Sequence, residues 1–232
     1  MVVNEIFYSI QGEGILAGTP SVFIRLAGCP IGCEWCDTKY AWEPNAGEEL
    51  PISEIINRIS RWSCRYAVIT GGEPMVNPEL PELARAIKGR NKHITIETAG
   101  IKFVADLACN LMSISPKLSN SGRNNFPAHL SSIKQLVKQY PYQLKFVVDS
   151  ADNLPEIQEA LKQIGRVGAL NEIQDHENTA KMAVPRVMLM PQAKTRDELI
   201  AKSPMVAKLC EETGFVFCQR LHILLYNGKR GK

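Results

Sequence analysis

The chain has no long apolar run. Within its 232 residues no stretch approaches the ~20 apolar residues that a membrane-spanning helix requires. Its start, Met1-Val2-Val3-Asn4-Glu5, lacks a basic region followed by an apolar one, so no secretion signal is read there. Charge imbalance is small as well. The formal net charge of +3 is too little for a nucleic-acid-binding surface. Histidine is scarce, and its four residues, His93, His129, His176 and His222, are dispersed. Cysteine is not scarce, but seven is an odd number, which with no signal peptide argues against a disulfide framework. What remains is a soluble cytoplasmic enzyme, with no membrane and no nucleic-acid partner. The proportions of apolar and charged residues, 45% and 22%, are those of an ordinary globular protein. The length fits one domain over 1–232.

Apolar periodicity alternates between two kinds. Runs rich in Val, Ile, Phe and Tyr predict strands over 4–10, 21–27, 66–70, 93–97, 111–115, 143–149, 186–190 and 215–219. Between them lie helical stripes: Ile52, Ile55, Ile56 and Ile59; then Leu80, Leu83, Ala84 and Ile87, closed by Gly89 as a cap. Two further stripes are Ile133, Leu136, Val137 and Tyr140, and Ile157, Ala160, Leu161 and Ile164. A fifth helix opens at Thr195-Arg196-Asp197-Glu198, which has capping-box spacing, and Pro204 should kink or split it. All these stripes are read as core. Strands alternating with helices predict an α/β fold with a mostly parallel sheet and helical crossovers. Residues 119–127 read as a loop, and 165–185, with weak periodicity, as a possible insertion. In such folds ligands gather at the carboxyl ends of the strands. Arg25, Thr70, Gly71-Gly72-Glu73-Pro74, Glu97-Thr98, Ser115-Pro116-Lys117 and Met190-Pro191-Gln192 all fall at strand ends.

Three of the seven cysteines stand within eight residues, in Cys29-Pro30-Ile31-Gly32-Cys33-Glu34-Trp35-Cys36. A [4Fe–4S] cluster is ordinarily held by four thiolates. Three ligands leave one iron open to chelation by the amino and carboxylate groups of a small molecule. Trp35 would shield such a cluster from water. A structural zinc site is the alternative, but closed zinc sites want four ligands, and no second pair is present. The Gly71-Gly72-Glu73-Pro74 turn follows a strand, and its glycines let backbone approach a ligand closely.

The loop and the Gly-Gly-Glu-Pro turn together resemble the signature of the radical S-adenosylmethionine superfamily. The resemblance implies a partial (β/α) barrel and a [4Fe–4S] cluster on Cys29, Cys33 and Cys36, within a loop over 28–38. It also implies S-adenosylmethionine against Gly71, Gly72 and Glu73, cleaved to methionine and a 5′-deoxyadenosyl radical. Finer motifs are similar to the 7-carboxy-7-deazaguanine synthase family. They are Phe7-Tyr8-Ser9-Ile10-Gln11-Gly12-Glu13-Gly14, Phe23-Ile24-Arg25-Leu26, Cys36-Asp37-Thr38, Glu97-Thr98, Ser115-Pro116-Lys117 and Gln219-Arg220-Leu221-His222. That similarity implies conversion of 6-carboxy-5,6,7,8-tetrahydropterin to 7-carboxy-7-deazaguanine with loss of ammonia, on the route to queuosine. It implies Mg²⁺ at Thr38, S-adenosylmethionine regenerated after each turnover, an electron donor such as flavodoxin, and a homodimer. Tyr226-Asn227-Gly228 departs from the Trp-Gly pair expected there.

The resemblance implies the remaining roles, and the residue chemistry agrees with them. Arg25 offers a bidentate fork to the pterin carboxylate, and Gln11, Gly12, Glu13, Thr70 and His222 face the pterin. Trp35, Glu97, Ser115, Lys117 and Gln192 are placed on the cofactor. Asp37 is expected to brace the loop rather than bind metal. Two rivals share parts of this pattern. One is an activase that makes a glycyl radical on a partner protein; the other is a zinc-stabilised interaction module.

Overall fold

The computed structural model describes residues 1–122, 126–165 and 187–232, so the possible insertion at 165–185 lies outside the described residues but for Gly165. The elements run β1 (Val2–Ile10), β2 (Pro20–Leu26), β3 (Glu48–Glu49), α1 (Ile52–Ile59), β4 (Tyr66–Gly71), α2 (Leu80–Lys88), β5 (His93–Thr98) and β6 (Leu111–Ile114). They continue with α3 (Phe126–Gln139), β7 (Tyr142–Val148), α4 (Leu154–Ile164), β8 (Val187–Pro191), α5 (Arg196–Thr213), β9 (Val216–Phe217) and α6 (Leu221–Tyr226). All described strands form one open sheet of order β3-β1-β2-β4-β5-β6-β7-β8-β9. β1 pairs antiparallel with β2 and β3. From β2 to β9 every pairing is parallel. This is the α/β architecture with a mostly parallel sheet that the periodicity predicted, and the sheet does not close.

Side chains alternate across a strand, and the parallel register keeps that alternation in phase along the sheet. One face carries Val22, Ile24 and Leu26 on β2, Ala67 and Ile69 on β4, Ile94 and Ile96 on β5, and Leu144, Phe146 and Val148 on β7. These pack with the apolar stripes of α1 to α4 into one core. Each such Leu, Ile or Val contributes about 1.5–3 kcal/mol relative to exposure. The other face has a different character. In register across it stand Phe23 and Arg25, Val68 and Thr70, Thr95 and Glu97, Ser113, then Gln143, Lys145 and Val147. The core face holds the fold together, and the polar face is left for ligands.

Several local expectations are corrected. Pro204 does not split α5, which runs unbroken through it. The proline lies on the exposed side, where water can satisfy the carbonyl it orphans, while Leu199, Val206, Leu209 and Cys210 anchor the buried side. Gly89 does cap α2 as expected, its N–H donating to Arg85 O, though with right-handed φ −61; the left-handed residue is Asn91, φ 55. The strand expected to reach 219 stops at Phe217, because the chain turns there into α6. Phe126 and Pro127, read as loop, open α3. Among the described residues no helix is long and apolar enough to cross a membrane.

Candidate active site

The carboxyl ends of the parallel strands open onto a cavity of about 510 Å³. The cysteine loop leaves β2 and crosses its rim. Gly28 N and Cys29 N donate to Ala41 O and Trp42 O, each at 2.9 Å, which closes the loop on itself. Cys29, Cys33 and Cys36 all line the cavity. They pack among Ile31, Ala99, Ile101 and Trp35. All three are free thiols. Burial pushes the Cys29 and Cys33 thiols up, so ligation must supply the driving force for losing their protons. Cys36 Sγ accepts from Thr38 N at 3.3 Å and Trp42 Nε1 at 3.4 Å. Such donors stabilise negative charge on a cluster thiolate and tune its potential. Among the described residues no trio of Cys, His, Asp and Glu converges to hold a single metal ion. A mononuclear zinc site demands convergence, whereas the thiolates of a cluster would each bind a different iron. The donor set fits a three-thiolate cluster.

The Gly-Gly turn after β4 locks onto the same loop. Gly72 N donates to Leu26 O and Glu73 N to Gly28 O, each at 2.9 Å. Glu73 is buried and accepts from Thr98 Oγ1 (2.6 Å), Ala99 N (2.7 Å) and Met75 N (3.1 Å). Burial still raises its carboxyl above the ordinary value, because desolvation outweighs those donors. A cationic amine placed beside it would relieve that cost. Opposite, Lys117 Nζ donates to Ser115 Oγ at 2.7 Å and lies 5.2 Å from the Trp35 ring centroid. Trp35 is held by its Nε1 donating to Asn120 O at 2.8 Å. Burial lowers the Lys117 ammonium.

The other half of the cavity is a chain of alternating charges. Lys145 Nζ donates to Glu13 Oε2 at 2.7 Å and to Glu97 Oε2 at 2.8 Å. Arg220 donates through Nε to Glu13 Oε1 at 3.1 Å and through a terminal nitrogen to Asp37. Burial alone would raise the Glu13 carboxyl, but Lys145, Arg220 and His222 overcome it and hold it well below the carboxylate range. Asp37 is likewise held low by Arg220 against burial. Lys145 is pushed above its ordinary value, its two carboxylates outweighing the burial that would lower it. Burial lowers the His222 imidazole more than Glu13 raises it. Gly12 passes so close to this histidine that a Cβ there would lie 2.1 Å from His222 Nδ1. At the mouth, Arg25 Nε donates to Glu5 Oε1 at 2.7 Å. Its two terminal nitrogens have no hydrogen-bond partner among the described residues.

Every residue expected in the site from sequence lines this cavity, except Gln192. The Gln192 side chain turns instead to α5, where Lys202 Nζ donates to its Oε1. The placement of Gln192 on the cofactor is therefore dropped. Lys145 and Arg220 line the cavity without having been singled out. Lys145 did leave a signal, a lone cation in the run Leu144-Lys145-Phe146. Arg220 stood inside the Gln219-Arg220-Leu221-His222 motif but was given no role there, since its partners lie 207 and 183 residues away in the chain.

An open, mostly parallel sheet with three cavity-lining thiols locked to a Gly-Gly-Glu-Pro turn defines a radical S-adenosylmethionine enzyme. In agreement, residues 23–121 match the model of the Radical SAM superfamily. The chain is 34% identical to the 7-carboxy-7-deazaguanine synthase of Rhodopirellula baltica, over 100% of this chain and 88% of that protein. It is 36% identical to the synthase of Pyrobaculum aerophilum, over 99% and 96%. A crystal structure of QueE from Escherichia coli superposes with a TM-score of 0.67 at 25% identity, over 94% of this chain and 92% of that one. The chain belongs to the 7-carboxy-7-deazaguanine synthase family of radical S-adenosylmethionine lyases.

Proposed function

We propose that the chain converts 6-carboxy-5,6,7,8-tetrahydropterin to 7-carboxy-7-deazaguanine and releases ammonia, in the deazapurine route to queuosine. The observation that carries this reading is one cavity lined by three thiols and the Gly71-Gly72-Glu73 turn together with the charged chain Glu97-Lys145-Glu13-Arg220. We assign Cys29, Cys33, Cys36, Gly71, Gly72, Glu73, Ser115 and Lys117 to the cluster and cofactor. Gln11, Gly12, Glu13, Arg25, Thr70 and His222 are assigned to the substrate, and Glu97 to the cofactor ribose. Relatives covered almost end to end support it. When bound, the cluster and S-adenosylmethionine together supply a carbon-centred radical that removes a substrate hydrogen. The chain's own residues do the rest. Glu73 would take the methionine amino group, and Glu97 the ribose hydroxyls. Trp35 and Ile31 keep water from the thiolates. Glu13 and Gln11 accept from and donate to the polar pterin edge. A glycyl-radical activase needs no such enclosed polar pocket for a small heterocycle. An electron donor such as flavodoxin, a homodimer and a cytoplasmic setting belong to the same reading. The direct test is anaerobic turnover of the reduced, reconstituted enzyme with product identification. No 7-carboxy-7-deazaguanine would sink the reading.

Arg25 would bind the pterin carboxylate through its free terminal nitrogens while Glu5 fixes its Nε. Losing a charge-assisted pair of this kind costs about 1.5–3 kcal/mol. Arg25→Ala is thus expected to raise KM roughly tenfold to a hundredfold with the cluster absorbance unchanged. Loss of that absorbance would make Arg25 structural instead. Magnesium is read at Thr38. Its Oγ1 donates to Asp37 Oδ1 at 2.8 Å, which leaves hydroxyl lone pairs for a hard cation that keeps waters and substrate oxygens as its other ligands. Thr38→Ala should raise the Mg²⁺ concentration giving half-maximal rate. An unchanged magnesium titration refutes the assignment.

A further inference from the structure

Lys145 stands in the middle of β7, on the polar face of the sheet, with 2% of its side chain exposed. Its ammonium bridges carboxylates from two distant segments. Glu13 belongs to the loop after β1 and Glu97 to the end of β5. A second tie runs beside it. Gln11 Nε2 donates to Glu97 Oε1 at 3.1 Å, while Glu13 N donates to Gln11 Oε1 at 3.3 Å. The loop that faces the pterin is thereby joined twice to the carboxylate that faces the cofactor ribose.

Two carboxylates facing one cavity repel each other unless cations lie beside them. Lys145 touches both Glu13 and Glu97 while Arg220 holds the other oxygen of Glu13, so a shift of either carboxylate draws on the ammonium and, through it, on the other. We propose that Lys145 is a positioning residue that couples the two ligand sites, so that S-adenosylmethionine and the pterin each tighten the binding of the other. This rests on the functional reading given above. The sign of the coupling follows from ordering. A ligand that fixes Glu97 also fixes Lys145 and the 11–13 loop, so the second ligand has less freedom left to remove. The coupling is reciprocal, and couplings of this kind commonly amount to fivefold or more.

The test uses holoenzyme with its cluster oxidised and no reductant, so that binding proceeds without turnover. S-adenosylmethionine is titrated calorimetrically, with and without saturating 6-carboxy-5,6,7,8-tetrahydropterin. The native enzyme is expected to show a Kd at least about fivefold lower when the pterin is present. Lys145→Met should bring that ratio close to one while keeping the cluster absorbance. A residue that merely supports the fold would weaken both ligands and leave the ratio alone. A ratio of one in the native enzyme overturns the proposal with no variant needed. So does an undiminished ratio in Lys145→Met. Should that variant not fold, Lys145→Gln keeps polar donors between the carboxylates but removes the charge. A lowered ratio there supports the coupling and an unchanged one refutes it. Turnover by reduced native enzyme separates the two readings: product formed with a ratio of one sinks the coupling alone.

Discussion

Gly72→Ala will fold without its iron–sulfur cluster and without measurable turnover. A Cβ at this position would lie 2.2 Å from Gly28 O, 2.5 Å from Gly28 C and 2.8 Å from Cys29 Cβ. Two of these are backbone atoms, so no flexible side chain can yield. Nor can the turn withdraw, because its two N–H groups are bonded to Leu26 and Gly28. The cysteine loop must move, and Cys29 moves with it. Displacement of a reacting arrangement by about 1 Å can cost about 100-fold in rate, and a displaced ligand costs the cluster itself. Iron analysis and visible absorbance after anaerobic reconstitution provide the measurement. Gly89→Ala is the control. Its added Cβ would meet nothing closer than 3.5 Å, so iron content should match the native protein. Full iron loading in Gly72→Ala would mean that the loop and the turn are not locked together.

Arg220→Ala will be strongly destabilising. Its guanidinium is 9% exposed and touches two carboxylates, Glu13 and Asp37. It also donates to Ala193 O. It thereby joins the loop after β1, the cysteine loop and the end of β8. Removing one partner of a buried charged group leaves the other uncompensated, at a cost of about 3–5 kcal/mol. Asp37 is partly exposed, which favours the lower end. For a chain of this size about 3 kcal/mol lowers Tm by roughly 6–12 °C, measurable by calorimetry. The loss should also depend on pH. Glu13 ionises more readily in the folded chain than at its unfolded value of 4.5. The stability it contributes is therefore complete above that value and is lost as pH falls below it. The native and Arg220→Ala proteins should converge in stability on acidification. A Tm within 2 °C of native at pH 7 would show the network to be dispensable.

Periodicity revealed much of the frame because each stripe had a core to face. Ile55, Ile56 and Ile59 could be read as one buried edge, and they are. The two-residue strand β3 and the six-residue α6 were missed because neither is long enough to show a period. Of the kink or split expected at Pro204, the split does not occur, because the exposed carbonyl that the proline orphans is open to water. In the site, the residues legible from sequence were those in local motifs, where spacing carries meaning. Cys29, Cys33 and Cys36 needed only eight neighbouring residues. Arg220 needs Glu13 and Asp37, which come near it only after folding. Gln192 shows the converse limit. It sits at a strand end, as a ligand-facing residue should, yet its side chain was claimed by Lys202 on a neighbouring helix.

The division of the sheet into an apolar and a polar face bears on how such an enzyme can diverge. On β7, Leu144 and Phe146 answer to folding while Lys145 and Val147 face the cavity, and the two sets are interleaved residue by residue. A lineage could rewrite the inward set to accept another heterocycle while every outward residue stayed as it is. The frame thus separates heritable shape from heritable chemistry at a spacing of a single residue.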